Sequence, residues 1–377
     1  DPELDFICRA REAGVEITGE LEIAYRICRG RFVAITGTNG KTTTTALTGE
    51  IFKRSGRSTY VVGNIGVAVI SKALDTQEDD WLVTETSSFQ LETTRYFKPV
   101  VSAILNITPD HMNRHHTMDN YSMAKAKIFA NQDESGYCII NGDDEICCRL
   151  AENCRAKVRM FSLEKELQDG AFLKDGTLVI ADGGQVTELC RRDELKIIGR
   201  HNIQNALAAA AISFYAGIPA PVIREGLINF GGVEHRIEYC GSVDGVKYYN
   251  DSKATNVDAA VTAIEAIGKD IILIAGGDGK GQDFTDLIKN FRGRVKHLIL
   301  LGRDGPLIGA AADKEGYGDH ESCPNMEECV KRAAQMADSG DTVLLSPACA
   351  SWDMFESYEQ RGDLFREIVT CLDKANH

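Results

Sequence analysis

Long apolar segments are missing from this sequence. It contains no run of about 18 uncharged apolar residues, which is the length that a membrane-spanning helix needs. The first residues, Asp1-Pro2-Glu3, have neither the basic segment nor the apolar segment of a secretion signal. We therefore expect no membrane span, no membrane partner and no signal peptide in this sequence.

Paired cysteines are also missing. The 12 cysteines include no C-x-x-C pair and no cysteine–histidine run with the spacing of a zinc site. Scattered thiols in a chain of this size are typical of reduced residues that fill a core. We therefore expect a cytoplasmic protein.

The sequence has fewer basic than acidic residues: 42 lysines and arginines and 56 aspartates and glutamates, which give a net charge of −14. A nucleic-acid partner requires a basic face, so this balance argues against one. Small anionic ligands need only local positive charge and stay compatible with the composition.

The remaining pattern is that of an α/β protein with room for two or three domains in 377 residues. Short apolar runs alternate with helical patterns from residue 31 onward, which favours a mainly parallel sheet. Buried strands are predicted at 32–35, 81–83 and 103–107, and a helix at 42–53. Asp175-Gly176 and Gly183-Gly184 predict hairpins appended between about 155 and 200.

A second α/β block follows Phe230-Gly231-Gly232-Val233, whose glycines predict a hinge. Its strands are predicted at 246–249, 271–274, 297–300 and 342–345, and its helices at 256–267, 284–291, 326–337 and 354–373. Two short helices, at about 3–12 and 19–28, are predicted before the first block.

Residues 36–43, Thr-Gly-Thr-Asn-Gly-Lys-Thr-Thr, follow a predicted strand and open a helix. Backbone N–H groups in such a turn can hold phosphates, Lys41 would neutralise them, and the Thr42 hydroxyl would hold Mg²⁺. The long form G-x-x-x-x-G-K-[ST] is absent because Ile35 takes the place of its first glycine, and an ordinary strand-to-helix turn is the alternative. The preceding strand and the Lys-Thr pair favour nucleotide binding by Gly37, Thr38, Asn39, Gly40, Lys41, Thr42 and Thr43.

Carboxylates follow two predicted strands near this loop. Glu85 ends one strand, and Asp110-His111 follows the next. A strand-end carboxylate beside a phosphate loop suits Mg²⁺, although a solvated glutamate and a turn cap are the ordinary alternatives. From its spacing alone, Lys125 is expected to be an exposed surface lysine.

Three polar segments follow predicted strands of the second block: 250–256, 276–281 and 346–351. Helix capping explains only part of the first segment, and a flexible loop is the alternative for the second. Because the carboxyl ends of parallel strands meet at one edge of a sheet, we expect the three to form one ligand site.

Together these motifs resemble the Mur ligase family over nearly the whole chain. The resemblance rests on residues 36–43, 63–66, 85–92, 110–112, 201–206, 234–238, 250–256, 276–281 and 346–351. Ser-Ser-Phe-Gln-Leu-Glu at 87–92 and Asn-Asp-Ser-Lys-Ala-Thr-Asn at 250–256 resemble the branch that adds D-glutamate. The resemblance implies an ATP-dependent ligase of cell-wall synthesis that joins D-glutamate to UDP-N-acetylmuramoyl-L-alanine.

The resemblance also implies roles for individual residues. Catalysis would depend on Lys41, His111 and Lys125, and Mg²⁺ would be held by Thr42, Glu85, His111 and a carbamylated Lys125. ATP would contact the phosphate loop, Asn205, Arg236 and Asp251. Asn64 would help to bind the muramoyl-alanine, and D-glutamate would lie among Lys253, Thr255, Lys280, Ser351 and Tyr358.

In domain terms, the resemblance implies a central P-loop-type sheet domain with appended hairpins at 31–232 and a Rossmann-like α/β amino-acid-binding domain at 233–377. Closure at the hinge would assemble the active site. Residues 1–30 match only the tail of the family's UDP-binding domain, so we expect exposed apolar surface at residues 4–27. For the full-length protein we expect a monomer. A sister amide ligase of the same superfamily and an inert ATP-binding fragment or regulator are the alternatives.

Overall fold

The computed structural model describes residues 4–64 and 66–375, and these residues form two compact units. The first unit comprises residues up to 196 together with 201–230, and the second comprises 197–200 together with residues from 231 onward. Among the described residues, no helix is both long enough and apolar enough to cross a membrane. The predicted domain boundaries after residues 30 and 232 stay predictions.

The first unit is built around one large sheet. Its strands are β1 (Arg31–Thr36), β2 (Thr59–Gly63), β3 (Trp81–Glu85), β4 (Val101–Ile104), β5 (Tyr137–Asn141), β6 (Lys157–Ser162), β7 (Gly170–Lys174), β8 (Thr177–Asp182) and β9 (Gln185–Arg191). In the described part of the chain they lie in the order β2-β3-β1-β4-β5-β6-β7-β8-β9. Pairing is parallel from β2 to β7 and antiparallel from β7 to β9, which confirms both the mainly parallel sheet and the appended hairpins.

Helices connect and cover these strands. They are α1 (Asp5–Glu12), α2 (Glu20–Ile27), α3 (Lys41–Arg54), α4 (Ile70–Ala73), α5 (Ser88–Glu92), α6 (Met112–His115), α7 (Met118–Ala126), α8 (Glu145–Ala151), α9 (Arg200–Tyr215) and α10 (Ala220–Asn229). The expectation of exposed apolar surface at residues 4–27 holds for Leu4, Phe6 and Val15 and, on α2, for Ile23 and Ile27, but one face of α2 is covered. Leu21 and Ala24 are buried in the core of the first unit because α2 packs against the sheet.

The second unit contains a smaller sheet with helices between its strands. Its strands are β10 (Glu238–Val243), β11 (Val246–Asn250), β12 (Ile271–Gly276), β13 (Val295–Leu301), β14 (His320–Ser322) and β15 (Thr342–Leu345), and its helices are α11 (Val257–Ile267), α12 (Thr285–Lys289), α13 (Gly305–Lys314), α14 (Met326–Met336) and α15 (Tyr358–Ala375). Within the described residues the strand order is β10-β11-β15-β12-β13-β14. Among the described strands of this sheet, only the β10–β11 pair is antiparallel, so the predicted parallel α/β architecture is confirmed.

Candidate functional site

The phosphate loop lies at the carboxyl edge of the first sheet. Strand β1, which leads into the loop, lies between β3 and β4, and both neighbours run parallel to it. The residues that end these three strands therefore meet at one edge. Glu85 ends β3, and Asn106 lies two residues beyond β4.

The loop turns sharply into helix α3 at Gly40. Gly40 has φ 82°, and a Cβ atom placed there would lie 2.3 Å from Oδ1 of Asn205. Both the left-handed conformation and the close approach require glycine. Asn205 of α9, expected to contact ATP, is thus packed directly against the loop.

A residue that the sequence reasoning missed, Asn106, fixes the loop from the neighbouring strand. Its Oδ1 accepts the backbone N–H of Asn39 at 2.8 Å, and its Nδ2 donates to the Asn39 carbonyl at 3.0 Å. The predicted strand at 103–107 was displaced, since β4 begins at Val101 and ends at Ile104, and Asn106 bonds the loop instead. An amide side chain at a strand end next to a phosphate loop is the signal that could have identified it.

Two lysines converge on the carbonyl of Gly37. Lys41 Nζ donates to it at 3.0 Å and to the Thr38 carbonyl at 2.7 Å, while Lys125 Nζ donates to it at 2.7 Å. Lys125, on α7, is only 2% exposed, so the expectation of a surface lysine was wrong. Burial, with the charge of Lys41 beside it, lowers the pKa of Lys125 to about 7.

Glu85 is buried at the strand end with half of its carboxylate unpaired. Its Oε1 accepts from Asn64 Nδ2 at 2.9 Å, but no described residue bonds its buried Oε2. A buried carboxylate oxygen without a partner is costly unless a ligand or ion satisfies it. This orphaned oxygen, with Thr42 buried at the start of α3, fits a hard cation that takes phosphate oxygens as its other ligands.

His111 stands at the N-terminus of α6 with a left-handed backbone, φ 53°. The centre of its ring lies 4.8 Å from the centre of the Phe89 ring. Its backbone N–H donates to Asp110 Oδ1 at 2.8 Å, which is a local contact of the kind that the turn-cap interpretation predicts. In the described ranges, no three His, Cys, Asp or Glu side chains are grouped so as to hold a metal. A metal here would thus need at least one ligand from outside these four residue types.

Helices α5 and α6 are joined through His115. Its Nε2 lies 3.0 Å from Ser88 Oγ and its Nδ1 lies 3.4 Å from Glu92 Oε1. The Phe89 ring stacks on His115 and lies beneath the guanidinium of Arg114, which also pairs with Glu92. These contacts hold α6, and therefore His111 at its start, against α5.

In the second unit, the three polar segments do converge. They follow β11, β12 and β15, which are adjacent in the sheet. The N–H of Asp251 donates to the Leu345 carbonyl at 2.7 Å, and Asp278 and Ala350 exchange two backbone hydrogen bonds of 2.9 and 2.8 Å. The predicted common edge is confirmed.

Asp251 is a buried carboxyl group at this edge. It accepts hydrogen bonds from Ser346 Oγ at 2.7 Å and from the N–H of Ile237 at 3.2 Å. Burial raises its pKa to about 7, although the nearby charge of Arg236 acts in the opposite direction. Arg236 itself is exposed.

Arg361, another residue that the sequence reasoning missed, connects two of the polar segments. It is 1% exposed and donates to Ser252 Oγ at 2.9 Å, to the Ser252 carbonyl at 2.8 Å and to the Cys349 carbonyl at 3.1 Å. Its Nη1 is buried without a partner among the described residues. Burial lowers its pKa to about 10. Sequence alone gave no signal for it, since Arg361 lies within a helical pattern.

The residues expected around D-glutamate border the same segments. Lys253 Nζ lies 5.4 Å from the ring of Tyr358, and Lys280 Nζ lies 4.8 Å from the ring of Trp352. Ser351 is buried and Thr255 is half-buried. Four of the five residues thus lie within the three converging segments, and the Tyr358 ring lies beside one of them, Lys253. Their role as an amino-acid site stays a prediction.

Comparisons with known proteins agree with these features. The family model described as Mur ligase middle domain matches residues 35–213, and the one described as Mur ligase, glutamate ligase domain matches residues 235–349. Proteins named UDP-N-acetylmuramoylalanine–D-glutamate ligase are similar along nearly the whole chain. The one from Alkaliphilus oremlandii is 50% identical over 98% of this chain and 82% of its own length, and the one from Alkaliphilus metalliredigens is 48% identical over 99% and 82%.

Solved structures share the fold at low sequence identity. UDP-N-acetylmuramate–alanine ligase from Thermotoga maritima superposes with a TM-score of 0.67 at 19% identity, over 98% of this chain and 83% of that one. A D-alanyl-D-alanyl-adding ligase from Acinetobacter baumannii gives a TM-score of 0.68 at 17% identity, over 92% and 77%. Because the two family models match most of its length and the curated relatives are 48–50% identical to it, the chain belongs to the Mur ligase family.

Proposed function

We propose that this protein is an ATP-dependent ligase that joins D-glutamate to UDP-N-acetylmuramoyl-L-alanine in the synthesis of peptidoglycan precursors. The observation that carries the proposal is the pair of preformed sites: a phosphate loop with two converging lysines, and a separate strand-end cluster that presents two lysines. The two Alkaliphilus relatives, each covered by this chain over 82% of its length, are named for this activity.

The proposed ligation has two steps. A carboxylate oxygen of the alanyl group attacks the γ-phosphorus of ATP, ADP leaves, and an acyl phosphate forms. The amine of D-glutamate then attacks the acyl carbon, loses a proton, and expels inorganic phosphate to leave an amide. Because several anions meet, cationic groups and oriented N–H donors contribute most by electrostatic stabilisation and positioning.

On the first unit, the backbone of residues 37–43 and the Lys41 ammonium would bind the ATP phosphates. Asn205 supports the loop from α9 and would approach the nucleotide beside Gly40. Arg236 and Asp251 of the second unit are proposed as further nucleotide contacts. Asn64, whose Nδ2 donates to Glu85, would orient the muramoyl-alanine.

Mg²⁺ would be held by Glu85 through its unpaired oxygen, by Thr42, by His111 and by a carbamate on Lys125. When bound, it supplies Lewis-acid charge at the transferring phosphoryl group. The carbamate would form when the neutral Lys125 amine attacks CO₂ and releases one proton. The lowered pKa of Lys125 supports this step, because a neutral amine is the nucleophile.

On the second unit, Lys253, Thr255, Lys280, Ser351 and Tyr358 would surround D-glutamate. Two ammonium groups in one cluster suit a substrate that carries two carboxylates. Hydroxyl groups from the other three residues supply neutral hydrogen-bond partners.

The proposal is tested by measuring ADP release with each substrate omitted in turn. We expect release only when ATP, Mg²⁺, UDP-N-acetylmuramoyl-L-alanine and D-glutamate are all present, and little release with L-glutamate, D-alanine or a diamino acid. Faster turnover with another amino acid would favour a sister ligase. ATP binding without substrate-dependent ADP release would favour an inert fragment or regulator.

A further inference from the structure

Trp352 is unusually exposed for its size. It is 68% exposed, whereas Trp81, the other tryptophan of the chain, is buried. It directly follows Ser351, so its ring stands beside the proposed amino-acid site. A large apolar ring left in water next to a binding site is a candidate for a functional contact.

The ring is engaged by Lys280. The Lys280 ammonium lies 4.8 Å from the centre of the Trp352 ring, within the range of about 6 Å over which a cation is attracted to an aromatic face. The backbone of Lys280 is left-handed, φ 54°, and its N–H donates to Asp278 Oδ1 at 3.0 Å. The carboxylate of Asp278 also pairs with Arg303, so its negative charge has a cation other than Lys280.

The segments that carry the ring and the ammonium are tied together. Asp278 and Ala350 exchange two backbone hydrogen bonds, and Gln282 Nε2 donates to the Ala348 carbonyl at 2.8 Å. Trp352 and Lys280 each lie two residues beyond this link. Their contact is therefore held by the framework of the site and needs little additional ordering.

A second lysine of the cluster is arranged in the same way. The Lys253 ammonium lies 5.4 Å from the Tyr358 ring, and the Tyr358 carbonyl accepts from Ser252 Oγ at 2.8 Å. The ammonium groups of Lys253 and Lys280 therefore both lie near aromatic rings of one segment, 352–358. An aromatic face restrains an ammonium without cancelling its charge, which leaves the charge available to an anion.

We propose that Trp352 is a positioning residue that holds the Lys280 ammonium ready for a carboxylate of the amino-acid substrate. This inference rests on the proposed function, since it takes the cluster on the second unit as the amino-acid site. Trp352 acts through Lys280. Its removal should weaken amino-acid binding without altering the binding of ATP.

The test is a double-mutant cycle in the full chain, with D-glutamate affinity measured by calorimetry. We expect Trp352→Leu to weaken D-glutamate binding about two- to fivefold, which corresponds to a cation–π contact at an exposed site. Trp352→Phe, which keeps an aromatic face, should lose less. Tyr239→Leu is the matched control, because Tyr239 is an exposed aromatic residue of the same unit that lies on β10.

The decisive comparison is made on a Lys280→Met background, titrated to high D-glutamate concentration. If Trp352 acts through Lys280, Trp352→Leu has no further effect there. Equal losses on both backgrounds, or no loss in the single variant, would overturn the inference. Failure of the unaltered chain to bind D-glutamate, together with no D-glutamate-dependent ADP release, would instead overturn the proposed function on which it rests.

Discussion

Lys41 and Lys125 donate to the same carbonyl group, that of Gly37, yet their surroundings give them different chemistry. Lys41 lies at the first position of α3, where its ammonium can swing from the loop carbonyls to a bound phosphate. Lys125 is buried and close to half neutral near pH 7, because its pKa is lowered to about 7. The first is placed to contact a phosphate, and the second to react as an amine.

Substitution of Lys41 by alanine is expected to abolish ATP turnover while leaving the fold intact. The ammonium compensates phosphate charge as it develops in the transition state, and loss of such a group costs on the order of a hundredfold or more in kcat. Steady-state ADP release and circular dichroism are the measurements. Lys53→Ala serves as the control, since Lys53 is exposed on the same helix; comparable losses in both variants would contradict the role.

Lys125→Met is expected to stabilise the protein while abolishing its activity. A folded-state pKa of about 7 lies below the ordinary lysine value of 10.5, so folding disfavours the ammonium form. The lysine therefore destabilises the fold increasingly as pH falls from 10.5 to 7. At pH 7 this cost is up to about 4 kcal/mol, and it vanishes above pH 10.5. Chemical denaturation in bicarbonate-free buffer at pH 7 and 10.5 measures the difference in free energy of unfolding between the variant and the parent. A variant that is less stable than the parent at pH 7 would contradict the claim that the buried amine destabilises the fold.

The carbamate on Lys125 makes a separate prediction. Removal of CO₂ and bicarbonate should lower activity, and their return should restore it, whereas Lys125→Met should respond to neither. Intact-mass measurement under mild conditions should detect the added CO₂ group. A fully active, metal-loaded enzyme with a plain amine would count against the carbamate.

At the scale of elements, Arg361 shows how a helix fixes two loops. Its guanidinium, carried on α15, reaches the carbonyls of Ser252 and Cys349, which belong to segments after β11 and β15. Removing a buried, multiply bonded cation leaves these acceptors unsatisfied, at a cost of about 3 kcal/mol. Arg361→Ala should therefore lower the free energy of unfolding and raise KM for D-glutamate more than KM for ATP.

Arg332→Ala is the matched control, because Arg332 is an exposed partner of Glu321 on α14 of the same unit. It should change neither KM value. Arg361→Lys should recover part of the stability, since an ammonium can reach one carbonyl. An Arg361→Ala variant with unaltered stability and an unaltered KM for D-glutamate would show that the two loops keep their conformation without Arg361.

Sequence predicted the elements whose signals are local. The pairs Asp175-Gly176 and Gly183-Gly184 predict turns because glycine permits positive φ and aspartate tolerates it, and the structure has positive φ at all four positions. The burial of Lys125 was not predictable from spacing, because it depends on α7 packing beside a loop 88 residues earlier in the chain. Arg361 was missed for the same reason, since Ser252, one of its partners, lies 109 residues away in the sequence. Asn106 was missed although its amide at a strand end beside the loop offered a signal.

At the scale of the whole molecule, the two compact units have separate cores and separate candidate sites. The phosphate loop and Asn205 belong to the first unit, and the three segments 250–256, 276–281 and 346–351 belong to the second. Each ligand should therefore order mainly the unit that holds its site, because ligand binding stabilises the backbone that it contacts.

Hydrogen exchange followed by mass spectrometry tests whether each ligand orders mainly the unit that holds its site. A non-hydrolysable ATP analogue with Mg²⁺ should slow exchange mainly in peptides that contain residues 36–43 and 202–205, and also around Arg236 and Asp251, which are proposed to contact the nucleotide. D-glutamate alone should slow exchange in peptides from 250–256, 276–281 and 346–351. Peptides from β7 to β9 should respond to neither ligand, because those strands form the appended hairpins far along the sheet from β1. Protection of the phosphate loop by D-glutamate alone, with no change after β11, β12 and β15, would place the amino acid on the first unit and contradict the roles proposed for Lys253, Thr255 and Lys280.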